Sequence, residues 1–181
     1  MSRQRSREIG AEGERTANLL GAAALAIADR VDGAIGTADG RSEAANAALT
    51  VMLQWPPRSI GHLATVLRRS HSATVRLIEE LESEGLVAKN PGDDRRAIVV
   101  KLTPQGRREA QRIIAGRATV LDGMVRRLES SERRELTRLL EKILPMLTPD
   151  RETSDHICRL CELAACPQDR CPVELAVPKA S

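Results

Sequence analysis

Residues 59–106 read SIGHLATVLRRSHSATVRLIEELESEGLVAKNPGDDRRAIVVKLTPQG, and this segment indicates the architecture of the chain. Apolar residues at i, i+3, i+4 and i+7 predict a short helix that Ser59 caps at its start. A second helix is predicted from about 71 to 84, with Ser70 as its cap and Gly85 as its end. Two short helices joined by a tight turn are a candidate helix-turn-helix.

A basic hairpin is predicted after the second helix. Residues 86–89 and 98–102 contain apolar residues typical of strands, and the Pro, Gly and paired Asp between them favour a turn. Arg95 and Arg96 lie at the predicted tip, where they can reach the minor groove or the phosphates of DNA, and Asp94 is expected to orient an arginine. The alternative is a solvated turn whose ion pairs have no function.

The start of the second helix carries side chains that a major groove accepts. Base edges are open to groups that reach them without steric conflict, such as short polar side chains and arginine. If Val75, Ile78 and Leu81 face the core, the polar residues between them face outward. The predicted DNA contacts of this helix and the hairpin are Arg69, Ser70, His71, Ser72, Thr74, Arg76, Arg95 and Arg96. The alternative is an ordinary helical bundle in which these exposed residues have no role.

The composition favours a cytoplasmic, helix-rich protein. Of the 181 residues 41% are hydrophobic, but there is one Trp and no Phe or Tyr, so an aliphatic core of packed helices is expected. The net charge of +3 implies only mild attraction to a polyanion, so DNA affinity has to come from the distribution of charge. Neither a membrane span nor a secretory signal is predicted. An enzyme is not predicted, because no phosphate-binding Gly loop, nucleophile elbow or acid/base pair is evident.

The predicted fold class is mainly α with a small β-hairpin, a winged helix-turn-helix with helical flanks. Residues 1–12 are polar and rich in Arg and are expected to be disordered. Residues 13–150 are expected to form the winged-helix domain, with a DNA-binding lobe at about 42–103. Helices at about 13–33 and 104–147 flank this lobe, and Ser42, Thr103 or Pro104, and Ser130 or Ser131 are the expected helix starts.

This combination of elements resembles the winged-helix core of the MarR family of bacterial regulators over residues 42–147. The most specific pieces are the helix end E-L-E-x-x-G-L-V at residues 80–87, the D-R-R of the wing at 94–96, and L-T-P-x-G at 102–106. The resemblance implies a homodimer in which the flanking helices pack across a twofold axis. The apolar stripe of the last helix is compatible with this role, although its leucines could instead belong to the core of one chain; its members are Leu136, Leu139, Leu140, Ile143, Leu144 and Leu147.

The resemblance also assigns roles to single residues. Ser70, Ser72, Thr74 and Arg76 match the recognition-helix contacts of the family, and Arg96 matches its minor-groove arginine. Family members commonly respond to small phenolic or lipophilic molecules or to thiol oxidation, so a small-molecule effector is a further expected partner.

A cysteine-rich tail, residues 151–181, follows the region of resemblance. Its spacing is C-x2-C-x4-C-x4-C, and the predicted metal ligands are Cys158, Cys161, Cys166 and Cys171. Tetrahedral zinc is the first expectation, and an iron–sulfur cluster, a reversible dithiol switch and inert cysteines are the alternatives. A metal in the tail is expected beside the flanking helices.

The sequence therefore predicts a sequence-specific transcriptional regulator, a repressor, that binds palindromic double-stranded DNA as a homodimer. Two alternatives remain open at this point. One is a metal or thiol-redox sensor that acts through the tail, and the other is a winged-helix module that binds proteins rather than DNA.

Overall fold

The computed structural model describes residues 2–36, 40–55, 58–91 and 98–177. Two 3₁₀ turns, Leu144–Leu147 and Cys158–Leu160, complement the helices and strands. The helices and strands are, in chain order, α1 (Ser2–Ile35), α2 (Glu43–Gln54), β1 (Arg58–Ser59), α3 (Ile60–Leu67), α4 (His71–Ser83), β2 (Val87–Pro91), β3 (Ile98–Leu102), α5 (Pro104–Val125), α6 (Ser130–Ile143), α7 (Arg151–Ile157) and α8 (Pro172–Ala176). The predicted fold class is confirmed.

Hydroxyl side chains start four of these helices. In each case the side-chain oxygen accepts a hydrogen bond from the backbone N–H three residues later, which satisfies one of the unpaired donors of the first turn. The four capping residues are Ser42, Ser59, Ser70 and Thr103. The prediction for α6 was wrong, because its cap is Glu129, whose N–H donates to Glu132 Oε2 at 2.7 Å.

The three strands form an antiparallel sheet in the order β1-β3-β2. Val87 lies opposite Leu102 and Pro91 opposite Ile98, so the predicted hairpin is confirmed as far as the ends of its strands. Strand β1 was not predicted, because two residues are too few to show an alternating pattern. Its pairing of Ser59 with Val99 ties the start of α3 to the hairpin.

The core is aliphatic and lies between α2, α3, α4, the sheet and α5. Several large side chains in it are fully buried, among them Leu49, Leu63, Ile78, Leu81, Val100 and Ile113. Asn46 is also buried, and its amide nitrogen donates to the carbonyl oxygen of Ile35 at 3.2 Å. This hydrogen bond joins the end of α1 to α2.

The first helix is longer than predicted. It begins at Ser2 with a break at Gly10, where φ is 66°. Val31 and Ile35 near its end are buried, whereas Leu25, further back, is 71% exposed. Only the last turns of α1 therefore contribute to the core of this chain.

The tail packs on the helices of the predicted lobe. Helix α7 lies against α3, the turn at residues 158–160 lies against α2, and α8 contacts the turn after α6. His156 Nδ1 is 2.8 Å from the Val66 carbonyl oxygen, Arg68 donates to Thr153 Oγ1 at 3.1 Å, and Arg159 pairs with Glu43. The expectation of a tail beside the flanking helices is therefore incomplete, because its main anchors are α2 and α3.

Candidate nucleic-acid interface

The start of α4 is an exposed, polar and basic surface. Arg69, Ser70, His71 and Ser72 are all exposed, and so is Arg76 one turn further along. The buried side of the helix consists of Thr74, Leu77, Ile78 and Leu81. The structure thus presents five of the predicted contact residues to solvent at one end of the helix.

The serines also organise the helix end itself. Ser70 Oγ accepts the N–H of Ala73 at 3.2 Å and lies 3.2 Å from Ser72 Oγ. The unpaired N–H groups and the helix dipole make such an N terminus favourable for a negatively charged group. A phosphate oxygen approaching this end would meet backbone donors, two hydroxyls and the nearby arginines.

Thr74 is not available for DNA contact. It is completely buried, and its hydroxyl donates to the Ser70 carbonyl oxygen at 3.0 Å. Val75 was predicted on the buried face, but it is only partly buried, and the buried position is one residue earlier. A threonine that bonds to the carbonyl four residues back can occupy a core position, because its hydroxyl is satisfied within the helix.

The acidic end of α4 has a structural role. Lys89 Nζ lies 2.9 Å from Glu82 Oε2, and Arg41 Nη2 lies 2.7 Å from Glu84 Oε2. Hydrogen bonds from Lys89 lower the pKa of the Glu82 carboxyl. These carboxylates connect the end of α4 to β2 and to the segment before α2, and so they orient the helix within the lobe.

Arg68 has a role that was not predicted from the sequence. It ends α3 with φ 52° and ψ 45°, a left-handed conformation that residues other than Gly rarely adopt. Its backbone N–H donates to the carbonyls of the last turn of α3, and its guanidinium reaches Thr153 in the tail. The sequence does not indicate this conformation, because Arg is not a residue that typically occupies left-handed turns.

The tip of the wing lies outside the described residues. Asp94, Arg95 and Arg96 fall in the segment 92–97, so their roles stay predictions. The base of the wing is closed by Thr103, whose N–H donates to the Leu86 carbonyl at 3.0 Å and whose hydroxyl donates to the Gly85 carbonyl at 2.7 Å. These bonds explain why Thr precedes Pro in the L-T-P-x-G segment.

The four cysteines lie together. All of them line one cavity of about 460 Å³, together with Trp55 from the end of α2 and His62 from α3. The structure therefore brings together the four residues predicted as metal ligands.

None of the helices in the described ranges has both the length and the hydropathy required to cross a membrane.

Comparison with known proteins points to one group of regulators. No protein-family model matches the chain. The uncharacterized HTH-type transcriptional regulator YwhA of Bacillus subtilis is 32% identical over 75 residues, which are 41% of this chain and 54% of YwhA. The chain thus spans about half the length of this curated relative.

Solved structures match over a larger part of the chain. The MarR family protein Rv2887 of Mycobacterium tuberculosis is 26% identical with a TM-score of 0.56, covering 70% of this chain and 91% of Rv2887. MepR of Staphylococcus aureus, a transcription regulator of the multidrug efflux pump MepA, has the same fold at 18% identity, with a TM-score of 0.63 over 73% of this chain and 98% of MepR. In its motifs and its topology, the chain is similar to these winged-helix regulators, and it has the same fold as the MarR family protein Rv2887.

Proposed function

We propose that this chain is a cytoplasmic transcriptional regulator that binds palindromic double-stranded DNA as a homodimer. The observation that carries the proposal is the exposed start of α4, where Ser70, Ser72 and Arg76 surround a capped helix N terminus. The named relatives are transcriptional regulators, which supports the same interpretation. Base edges would be read by the side chains of α4 and phosphates by the helix end.

Exposed leucines on the flanking helices support the homodimer. Leu19, Leu20 and Leu25 on α1 are at least half exposed, and none of the described side chains of α6 is buried. On α6 the exposed apolar residues share one face, and the same surface continues into the following turn: Leu136, Leu139, Leu140, Met146 and Leu147. Apolar surface on two helices that lie outside the core of the lobe is typical of a face that a second subunit covers.

A dimer of this kind has a defined target. Two recognition helices related by a twofold axis read an imperfect palindrome whose half-sites are about 34–36 Å apart. A protein bound over a promoter excludes the polymerase sterically, so repression is the expected output. An effector belongs to the proposal because Rv2887 has been solved in complex with p-aminosalicylic acid.

The test is selection of duplexes from a random pool by the full-length protein, followed by titration of the selected site at several salt concentrations. We expect an enriched palindrome and an affinity that falls steeply with salt, because arginine contacts to phosphate release counterions. A protein-interaction module would give no enrichment from the pool, and that outcome would overturn the proposal. A reporter gene placed behind the selected site distinguishes repression from activation.

A further inference from the structure

The cysteine cavity combines four thiols with the wall of the DNA-binding lobe. Cys171 is buried at 7% exposure, and the other three cysteines are partly buried. Trp55 and His62 form the side of the cavity that belongs to α2 and α3, and Asp155 from α7 lies beside them. The thiols thus line a cavity between the tail and the lobe.

The thiols form two close pairs. The Cys158 thiol donates a hydrogen bond to the Cys161 sulfur, and Cys166 donates to Cys171. The first pair is set by the 3₁₀ turn, in which the Cys161 N–H donates to the Cys158 carbonyl at 2.9 Å. Both pairs line the same cavity, so all four thiols share one site.

Positive charge surrounds the first pair. The guanidinium groups of Arg117 and Arg159 act electrostatically on Cys161. Arginines beside a cysteine favour the thiolate, which is the form that binds metals. Arg159 is itself held in place by Glu43 of α2.

We infer that Cys158, Cys161, Cys166 and Cys171 bind one thiophilic metal centre, either Zn²⁺ or an iron–sulfur cluster. Both centres use four cysteine thiolates. This metal site is independent of the proposed DNA binding. The residues that the structure describes contain no group of three His, Cys, Asp or Glu side chains close enough together to hold a metal ion. Binding therefore has to draw the two thiol pairs together.

The segment between the two thiol pairs can move, because it contains turns and no helix or strand. The outer parts of the site are anchored: His156 holds the end of α7 against Val66, and Arg151 pairs with Glu174 of α8 at 2.7 Å. Between Cys161 and Cys171 there are only isolated turn hydrogen bonds, such as Cys166 N–H to the Glu162 carbonyl at 3.1 Å. The segment that carries Cys166 can thus close on a metal without disturbing a helix or strand.

The same anchors fix the position of the metal site relative to α3. A metal that joins the four thiols would fix α7 and α8 to each other, and α7 is bonded to Val66 and Arg68 at the end of α3. The site therefore lies beside α3, the helix that precedes α4.

The experiment is metal analysis of the full-length protein purified without oxygen, together with its visible absorption spectrum. We expect either about one zinc per chain, or iron with matching sulfide and visible absorption. Cys158→Ser, Cys161→Ser, Cys166→Ser and Cys171→Ser should each lose most of the metal. Gln168→Ala is the matched control, because Gln168 lines the same cavity without a sulfur and its replacement should leave the metal content unchanged.

A second measurement keeps the test independent of folding of the variants. Metal-free wild-type protein is titrated with Zn²⁺, or with iron and sulfide, while the reactivity of its thiols toward an alkylating agent is followed by mass spectrometry. Protection of all four thiols together supports the inference. Isolation without metal, no uptake in the titration and alkylation of all four thiols would overturn it, and so would disulfides within the two pairs that form in place of a metal complex.

Discussion

A Cβ atom on Gly106 would lie 1.9 Å from the carbonyl oxygen of Leu86 and 2.8 Å from its carbonyl carbon. No side chain fits at this distance, so the first turn of α5 and the start of the wing touch backbone to backbone. The Leu86 carbonyl also accepts the N–H of Thr103, which begins the same turn. Gly106 is therefore the residue that lets α5 close the base of the wing.

We expect Gly106→Ala to destabilise the protein by at least about 1–3 kcal/mol, because the added methyl group forces backbone apart where neither side can yield. Thermal or urea unfolding at a fixed protein concentration measures the change. Gly123→Ala on the same helix is the matched control, since a Cβ there meets nothing within 4 Å. Replacing that helical glycine should stabilise the protein by about 0.5–1 kcal/mol, and equal effects at the two sites would contradict the assignment.

Arg76 and Thr74 separate base reading from packing within one helix. Arg76→Gln should relax base discrimination at one position of the selected site, at a cost of about 1–3 kcal/mol. Thr74→Val should preserve the base preference, because Thr74 is buried and bonded to Ser70. Competition titrations with single-base variants of the duplex measure both. An unchanged preference profile for Arg76→Gln would remove Arg76 from the interface.

Glu109 joins α5 to the segment before α2 through Arg41, and it also pairs with Arg112 on its own helix. The hydrogen bond from Arg112 is the main cause of its lowered pKa, and Arg41 Nη1 lies 2.8 Å from Glu109 Oε1. A carboxyl whose pKa is lower in the folded state than its ordinary 4.5 stabilises the protein above that pH. The contribution is lost as the pH falls through the folded-state pKa.

Glu109→Gln should therefore lower the free energy of unfolding at pH 7 by about 1 kcal/mol, and its difference from wild type should vanish as the pH falls through the lowered pKa of Glu109 in the folded state. Unfolding by urea at a series of pH values measures this. Glu135→Gln is the control, because Glu135 pairs with Arg138 in an exposed position on α6. A loss at Glu109 that persists at low pH would mean that packing, and not charge, is responsible.

Leu140 tests the homodimer. Leu140→Gln places an amide in the exposed apolar face of α6, and it should raise the dissociation constant of the dimer about tenfold or more. Arg134→Gln is the matched control, because Arg134 lies on the opposite side of the same helix, beside Arg138 and Glu141. Sedimentation at several protein concentrations gives both constants. A dimer that both variants leave intact would place the interface elsewhere.

The sequence predicted those features that local chemistry determines. Three helix caps were predicted because a hydroxyl residue precedes an apolar periodic segment in each case: Ser59, Ser70 and Thr103. The turn residues between the strands predicted the hairpin. The buried face of α4 was predicted to begin at Val75, one residue too late. A threonine looks polar in a pattern, and its burial depends on a hydrogen bond to Ser70 that composition does not reveal.

Features that depend on contacts between distant parts of the chain could not be predicted from the sequence. Strand β1 exists because Ser59 pairs with Val99, and the guanidinium of the left-handed Arg68 bonds to Thr153, 85 residues further along the chain. The spacing of the cysteines predicted that they meet, but it did not predict that His156 and Arg159 would hold them against α2 and α3. Such contacts depend on where the chain returns, which no local pattern encodes.

The contact between the tail and the lobe also orders the events of synthesis. Arg159 and Glu43 are 116 residues apart, and His156 and Val66 are 90 apart. At about 5–20 residues per second, a ribosome exposes α3 several seconds before the residues that cover it. During that interval the winged helix has its strands and α5 but lacks its outer cover. A nascent chain therefore gains this layer only after His156 and Arg159 have left the ribosome.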